Sequence, residues 1–409
     1  MQKPHVYIVT SLFPYGNMSE TFLAAELALE SSKYEICVIP MQAAAERRAC
    51  PPEVTVDTAL CRRGFFKKMC FLLASICSFS FWKMLFKERK EIGSGSEFKT
   101  AVSYFYGAKL VKHYFRKKRK EIPQGSVLYS YWFSEGALGL AMARHSFPEL
   151  ASCRFIARAH GHDVYMKSRG IHIPCREFIL EHFDIYTVSQ TQAEYLKSRY
   201  PKYRDKVHHA YLGIAPLEET ALSSKRTKAD ISFVSCSSAV AEKRLGLIFT
   251  TLCTFAQKHP HQQVCWTHIG TGIDFDLIGR PANLNIDLKG YQTIDKIYDI
   301  YRHEQLDIFL NLSCSEGLPV SLMEAINASI PIIATDAGGT REIACADTGQ
   351  LLPIHFTYED FEQAVEIVIR NHAHLQISCR EYFLRNFVAK DNFDHFYDEI
   401  LFPNHPTQR

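Results

Sequence analysis

The sequence lacks the features that mark several common classes of protein. Its 13 cysteines include no C-x-x-C pair and are odd in number, which fits neither a zinc site nor a disulfide framework and favours reduced thiols in a cytoplasmic protein. The formal net charge of +3 is too small to indicate a nucleic-acid partner.

Long hydrophobic runs are also missing. The longest apolar tract, residues 69–82, contains three serines and is shorter than the roughly 20 residues that a membrane-spanning helix needs. The N-terminal apolar run is one strand long, and no small-residue cleavage site follows it. We therefore expect neither a transmembrane segment nor a signal peptide.

The pattern of the chain predicts an α/β fold. A length of 409 residues fits two domains. Short β-rich apolar runs alternate with helical segments from residue 5 onward, and the alternation restarts after Pro216, which indicates two doubly wound parallel sheets. The domain boundaries are predicted at residues 1–215 and 216–385, with a final helix in 386–409.

The stretch S-E-G-L-P-V-S-L-M-E-A, residues 315–325, is the most informative part of the sequence. It places Glu316 and Glu324 on either side of an expected helix start near Pro319. A helix start offers free backbone N–H groups and a positive dipole end, which suit a phosphate, whereas carboxylates accept hydrogen bonds from sugar hydroxyls. A nucleotide-sugar site is predicted, although a lone glutamate pair at this spacing could also be a loop charge and a solvated helix residue.

This stretch resembles the E-x7-E signature of the retaining glycosyltransferases of family 4, which have the GT-B fold. The resemblance covers most of the chain and is strongest between residues 155 and 345. It implies two Rossmann-like domains facing a central cleft, with the C-terminal helix packed back on the first domain. It also implies a metal-independent enzyme that transfers a hexose-type sugar from a nucleotide-diphosphate donor, by family habit a UDP-sugar.

The resemblance assigns roles to residues around the helix start. Glu316 should bind hydroxyls of the donor sugar, and Glu324 should bind the ribose. The segment Gly317, Leu318, Pro319 and Val320 should turn its backbone N–H groups toward the diphosphate.

Residues 233–248 resemble the G-R-x4-K segment whose basic pair neutralises the diphosphate. Lys243 matches the lysine, but Ser238 stands in the arginine position, so one cation is missing. Arg244 could compensate, although one helical step would turn it about 100° away. Gly270, in the loop after the next strand, is also predicted to approach the donor.

Two positions in the first half complete the predicted site. His160, in A-H-G-H-D, resembles the histidine with which the family orients the donor sugar, with Asp163 holding the loop or the ring; a purely structural histidine is the alternative. Gly16 lies in a first turn, L-F-P-Y-G-N-M-S-E-T-F, that resembles a subgroup building bacterial exopolysaccharides and lipid-linked saccharides. This turn could approach donor phosphate or acceptor, or simply connect a strand to a helix.

A D-x-D at residues 274–276 resembles the metal site of GT-A enzymes, but its position after a strand-end loop favours acids at a helix start. No metal or other cofactor is expected.

Basic residues flank the apolar tract on both sides, in an arrangement that could dock on an anionic membrane or simply form a helix with solvated ends. In the docking interpretation, residues 62–90 would rest on the inner face of the plasma membrane beside a lipid-linked acceptor. The predicted contributors are Arg62, Arg63, Lys67, Lys68, Lys83, Lys87, Arg89 and Lys90, with Phe71, Phe79, Phe81 and Trp82 inserting.

Two rival functions stay open at this point. A nucleotide-sugar epimerase would share the two domains but use other acid–base residues. A non-catalytic nucleotide-sugar-binding protein is compatible with Ser238, which removes one cation from the leaving-group site. The acceptor is a saccharide or a lipid-linked saccharide, and the sequence does not distinguish them.

Overall fold

The computed structural model describes residues 3–16, 20–61, 71–73, 75–165, 172–218, 229–273 and 276–403. The chain divides into two compact units, one formed by Met1–Leu212 with Ala389–Arg409 and the other by Gly213–Val388. Each unit is built on a parallel β-sheet with helices between its strands. The prediction of an α/β fold with two Rossmann-like domains is therefore confirmed.

The sheet of the first unit runs in the order β3-β2-β1-β4-β5-β6-β7. Its strands are β1 His5–Thr10, β2 Glu35–Pro40, β3 Thr55–Val56, β4 Val127–Ser130, β5 Arg154–Ala159, β6 Asp184–Thr187 and β7 Val207–His209. All pairings are parallel, and β4 is buried throughout. Burial on both faces explains why these strands are nearly unbroken apolar runs.

The described helices of the first unit include a C-terminal segment that packs against its sheet. They are α1 Thr21–Glu30, α2 Phe79–Lys87, α3 Gly95–Lys118, α4 Glu135–Ser146, α5 Gly161–Val164, α6 Arg176–His182, α7 Gln190–Arg199 and α13 Ala389–Asp394, with 3-10 turns Pro148–Leu150 and Pro201–Lys206 and a π-helix His395–Leu401. Phe396 and Tyr397 are buried in one core with Val6 and Tyr129.

The start of α1 differs from the prediction. The sequence S-E-T-F-L-A-A-E-L-A-L, residues 19–29, predicts a helix that Ser19 caps and that has Glu20 in its first turn. Instead α1 begins at Thr21, and Glu20 precedes it in the left-handed conformation, with φ 54°. The predicted cap, Ser19, lies outside the described residues.

The sheet of the second unit runs in the order β10-β9-β8-β11-β12-β13. Its strands are β8 Ile231–Cys236, β9 Val264–Ile269, β10 Leu284–Gly290, β11 Ile308–Asn311, β12 Ile332–Thr335 and β13 Gly349–Leu352. Its helices are α8 Leu245–Lys258, α9 Ile294–His303, α10 Val320–Asn327, α11 Tyr358–Arg370 and α12 His372–Asn386, with 3-10 turns Ala241–Lys243 and Gly338–Glu342. The core lies between the sheet and helices such as α8 and α11.

Candidate active site

The strand order of the second unit creates one position suited to a ligand. The order reverses between β8 and β11, which are neighbours and pair in parallel. Ligands of open parallel sheets bind at such a switch point, because the loops that follow the two strands diverge there. These loops contain residues 237–244 and 312–319, where the sequence places most of the predicted site.

An ion pair joins the two loops. Lys243 Nζ lies 2.6 Å from Glu316 Oε1, although the residues are 73 positions apart. Asn311 Nδ2 donates to the same oxygen over 3.2 Å, and the Cys314 N–H donates to the Glu242 carbonyl over 2.9 Å. The Glu316 side chain is only 8% exposed, and its Oε2 accepts no hydrogen bond from the described residues. The ion pair therefore places the Lys243 ammonium next to Glu316 Oε2, a carboxylate oxygen that remains available to a ligand.

The start of α10 presents unused backbone donors next to this pair. Within the described parts of the chain, the N–H groups of Gly317, Leu318, Val320 and Ser321 form no hydrogen bond, and no side chain caps the helix at Pro319. The positive end of the helix dipole adds to their field. Together they can bind an anion such as a phosphate.

Glu324 lies one turn further into α10 and is partly buried. Burial raises the pKa of its carboxyl from 4.5 to about 7. Burial, and secondly the charge of Glu324, raises the pKa of the Cys236 thiol to about 12, which places Glu324 beside the end of β8. None of the described residues donates a hydrogen bond to the Glu324 carboxylate, so the two carboxylate oxygens are available to a ligand.

Arg244 occupies a different position from the predicted one. It adopts the left-handed conformation, with φ 49°, so helical geometry does not describe it. Its guanidinium donates to the carbonyls of Ile354, over 2.9 Å, and Ser313, over 3.3 Å, and also to that of Leu312. These contacts tie strand ends together and account for Arg244 structurally, so they give no support to the prediction that it binds the donor.

Ser238 and Gly270 belong to the loops that follow β8 and β9. Ser238 is exposed, and its side chain bonds to none of the described residues. Gly270 has φ 149°, and a Cβ there would lie 1.8 Å from the Ser237 carbonyl oxygen. Its N–H donates to the Gly290 carbonyl over 2.9 Å. Gly270 is thus required for close packing of the loops, and its N–H is not free for a phosphate.

His160 follows β5 in the first unit and is partly buried. Burial, and secondly the charge of Arg158, lowers the pKa of His160 to about 3, so the ring is neutral at physiological pH. Its Nε2 lies 3.2 Å from the Tyr131 carbonyl, which can only accept, so Nε2 carries the proton and Nδ1 is an acceptor. The ring can therefore accept a hydrogen bond from a sugar hydroxyl.

Asp163 holds the backbone of this loop. Its carboxylate accepts from the N–H groups of His160 and, over 2.7 Å, of Phe133. Burial raises the pKa of Asp163 to about 6. Of the two predicted alternatives, the hydrogen bonds favour holding the loop over holding the imidazole.

In the turn after β1, the hydrogen bonds centre on Glu20 and not on the predicted residue, Gly16. Gly16, with φ 75°, donates its N–H to the Glu46 carbonyl over 3.0 Å, so that N–H is not available to the donor. The carboxylate of Glu20 instead accepts several hydrogen bonds in the loop after β1. The sequence shows that residue 20 is an acid but does not predict these hydrogen bonds, because they depend on the left-handed backbone conformation of Glu20.

Part of the predicted D-x-D, Asp274 and Phe275, lies outside the described residues. Among the residues that are described, no three His, Cys, Asp or Glu side chains cluster as metal ligands.

Comparisons with known proteins find partial sequence matches to glycosyltransferases. Residues 280–382 match the family model of glycosyl transferases group 1. The chain is 25% identical over 180 residues, 42% of its length, to the GtfA subunit of the UDP-N-acetylglucosamine–peptide N-acetylglucosaminyltransferase of Streptococcus pneumoniae, and the match spans 34% of that relative. A match to the Escherichia coli O-antigen biosynthesis glycosyltransferase WbnH is 38% identical over 50 residues, 12% of this chain and 15% of that one.

Solved structures resemble the whole chain. The apo lipopolysaccharide outer core galactosyltransferase WaaB superposes with a TM-score of 0.67 at 14% identity, covering 96% of this chain and 98% of that one. Anabaena HepE in complex with UDP gives 0.61 at 12% identity, covering 96% and 98%. The fold is that of the GT-B glycosyltransferases.

Proposed function

We propose that this protein is a retaining, metal-independent glycosyltransferase of family 4 that moves a hexose-type sugar from a UDP-sugar to a saccharide or lipid-linked saccharide in bacterial surface polysaccharide synthesis. The observation that carries the proposal is the junction of Lys243, Glu316 and the free N–H groups at the start of α10. This junction offers positive charge to a diphosphate and a carboxylate to the adjoining sugar.

The chemistry follows from these charges. As the bond between sugar and diphosphate breaks, negative charge grows on the leaving phosphate, and Lys243 and the helix start stabilise it; such preorganised electrostatic interactions are usually the largest catalytic contribution. Positive charge grows on the sugar, next to the free oxygen of Glu316. The acceptor oxygen attacks on the face that the phosphate leaves, so the configuration is retained, and the leaving phosphate takes the acceptor proton.

The choice of donor and pathway draws support from the relatives. HepE was solved with UDP, and also with UDP and glucose, the GtfA subunit is named for UDP-N-acetylglucosamine, and WbnH is named for O-antigen biosynthesis. A carboxylate, Glu324, is available for the ribose. Because Lys243 and backbone N–H groups supply the positive charge, EDTA should leave turnover unchanged.

The proposal is tested by incubating the full chain with UDP-sugars, first alone and then with saccharide and lipid-linked acceptors. At a donor concentration about 100 times its Kd, binding should stabilise the protein by roughly 2.7 kcal/mol in a thermal-shift measurement. With the correct acceptor, UDP should be released faster than with the donor alone. Conversion of the donor sugar without an acceptor would identify an epimerase. Binding without turnover, unaffected by Glu316→Ala, would identify a non-catalytic binding protein.

We also propose that the first unit docks on an anionic membrane surface through α2. In this helix Phe79 is 82% exposed, Trp82 50% and Phe86 69%. Phe81, predicted to insert, is instead fully buried, and Phe86 was missed. The neighbouring cations Lys83, Lys87, Arg89 and Lys90 supply positive charge for anionic lipid. The basic residues at 62–68 lie outside the described part of the chain, in which no helix is long and apolar enough to cross a bilayer.

Replacing Phe79, Trp82 and Phe86 together with serine is expected to weaken binding to phosphatidylglycerol vesicles by about 100-fold, because partial burial of each ring contributes roughly 1 kcal/mol. Co-sedimentation with vesicles measures the effect. Serine at Ile278, Ile377 and Leu384, which are equally apolar and exposed in the second unit, is the matched control and should change nothing. Equal losses in both triple variants would argue against α2 as the docking surface.

A further inference from the structure

The loop after β1 closes around a single carboxylate. Glu20 Oε1 accepts from the Ser11 N–H over 2.7 Å, and Oε2 accepts from the N–H groups of Leu12, over 3.0 Å, and Phe13, over 2.6 Å. The Glu20 residue is only 5% exposed. Three successive backbone donors of this kind form a concave anion site, and here an acid of the same chain fills it.

A fourth donor connects this anion to the loop after β4. The indole Nε1 of Trp132 donates to Glu20 Oε1 over 2.7 Å. The Trp132 ring centroid lies 4.7 Å from that of His160. The His160 imidazole also donates to the carbonyl of Tyr131, the residue before Trp132, over 3.2 Å. A continuous set of contacts therefore runs from the carboxylate through the indole to the imidazole.

The geometry explains why the first acid before α1 takes an unfavourable backbone conformation. Glu20 has φ 54°, a conformation that is unfavourable for a residue with a side chain. Hydrogen bonds to a charged acceptor are among the stronger ones in proteins, so four of them offset that cost. An amide at this position would instead turn its own N–H groups toward at least one of the four donors.

We infer that Glu20 is a positioning residue: as the anion held by the N–H groups of residues 11–13, it fixes the Trp132 indole and thereby the orientation of the His160 ring. The inference rests on the proposed function, because a sugar donor has hydroxyls from which the His160 ring can accept a hydrogen bond. Glu20 acts through Trp132 and does not itself contact the substrate.

The first test is the Glu20→Ala variant of the full chain. Turnover of UDP-sugar is expected to fall by about 10- to 100-fold, a loss typical of misoriented groups, while the affinity for UDP changes by less than about threefold because the second unit holds the diphosphate. Added formate, which can refill the anion site, should restore part of kcat. Glu30→Ala, which removes a buried glutamate paired with Lys33 from the end of α1, is the matched control and should show no rescue by formate.

A second variant and a spectroscopic measurement keep the inference testable if Glu20→Ala folds poorly. Trp132→Phe keeps an aromatic ring beside His160 but removes the indole donor, and it should lower kcat about fivefold without response to formate. In ¹⁵N NMR, the imidazole signals of His160 should shift in Glu20→Ala and return when formate is added.

Unchanged His160 signals in Glu20→Ala, or full turnover in both variants, would overturn the inference. The same holds for a parallel loss of turnover and UDP affinity that formate does not reverse. Failure of the proposed function is distinguishable, because the wild-type chain would then turn over no UDP-sugar, whereas the His160 signals would still report whether Glu20 sets the ring.

Discussion

Replacing Lys243 with alanine is expected to lower kcat by about 100- to 1000-fold, the size of effect that follows loss of one preorganised donor to a developing negative charge. UDP affinity should fall less, by about tenfold, because the charge that Lys243 meets is larger in the transition state than in the bound donor. Steady-state kinetics with the UDP-sugar that the wild-type chain turns over, together with calorimetric titration of UDP, separate the two effects.

Lys289 provides the matched control for this experiment. It lies in the same unit, its side chain is 24% exposed against 26% for Lys243, and it contacts carboxylates of Asp287 and Glu304 at 2.7 Å as Lys243 contacts Glu316 at 2.6 Å. Lys289→Ala therefore removes two comparable ion pairs away from the switch point and should keep kcat within about twofold, since no donor phosphate is proposed to bind there. Similar kcat values for the two variants would refute the role given to Lys243.

Glu316→Gln should lower kcat by a comparable factor, and the double variant should lose little more than either single one. Residues that act as a unit show such non-additive losses. Lys243 and Asn311 both donate to Glu316 Oε1. Lys243→Ala therefore removes one of the two groups that hold Glu316, and part of the loss in kcat should come from a misplaced Glu316 carboxylate.

The fold was largely predictable because buried parallel strands leave a simple signal. The short apolar run Pro331–Thr335 predicts a strand, and the strand is observed at Ile332–Thr335, because its apolar side chains are buried on both faces of the sheet. The contact between Lys243 and Glu316 was not directly predictable. It depends on β8 and β11 being neighbours, which the strand order creates and the spacing along the chain does not reveal.

The wrong predictions for Glu20 and Arg244 share one physical cause. Glu20 and Arg244 both have positive φ, 54° and 49°, a conformation that non-glycine residues adopt only when tertiary contacts repay it. A helical wheel therefore misplaces Arg244, and a first-turn interpretation misplaces Glu20. Phe81 and Phe86 were misjudged for a related reason, because which side of α2 faces the core depends on its packing against α3.

The second large expected effect is a pH dependence of UDP-sugar affinity that is due to Glu324. Its pKa, raised from 4.5 to about 7 by burial, means that the carboxylate is mostly protonated at pH 6 and mostly ionised at pH 8. Because the ionised form accepts ribose hydroxyls more strongly, UDP-sugar affinity should rise roughly tenfold over this range. A UDP-sugar is the right probe, since its diphosphate carries no proton that titrates there.

Glu324→Gln should bind UDP-sugar about 10- to 100-fold more weakly at pH 8 and show no such pH dependence. A 2′-deoxy donor should weaken binding to the wild-type chain but not to the variant, and Glu359→Gln, an exposed acid of α11, should behave as wild type. Retention of the pH dependence in Glu324→Gln would assign it to another group.

The same raised pKa predicts an opposite effect on stability. A carboxyl whose folded-state pKa exceeds its unfolded value stabilises the protein at low pH, and that contribution is lost as pH rises through about 7. In the absence of donor, Glu324→Gln should therefore be more stable than wild type at pH 8, by at most about 3 kcal/mol, and the difference should shrink toward pH 5 in urea unfolding. Saturating donor should narrow this difference at pH 8 by about 1.4–2.7 kcal/mol, because it binds the wild-type chain about 10- to 100-fold more tightly than the variant.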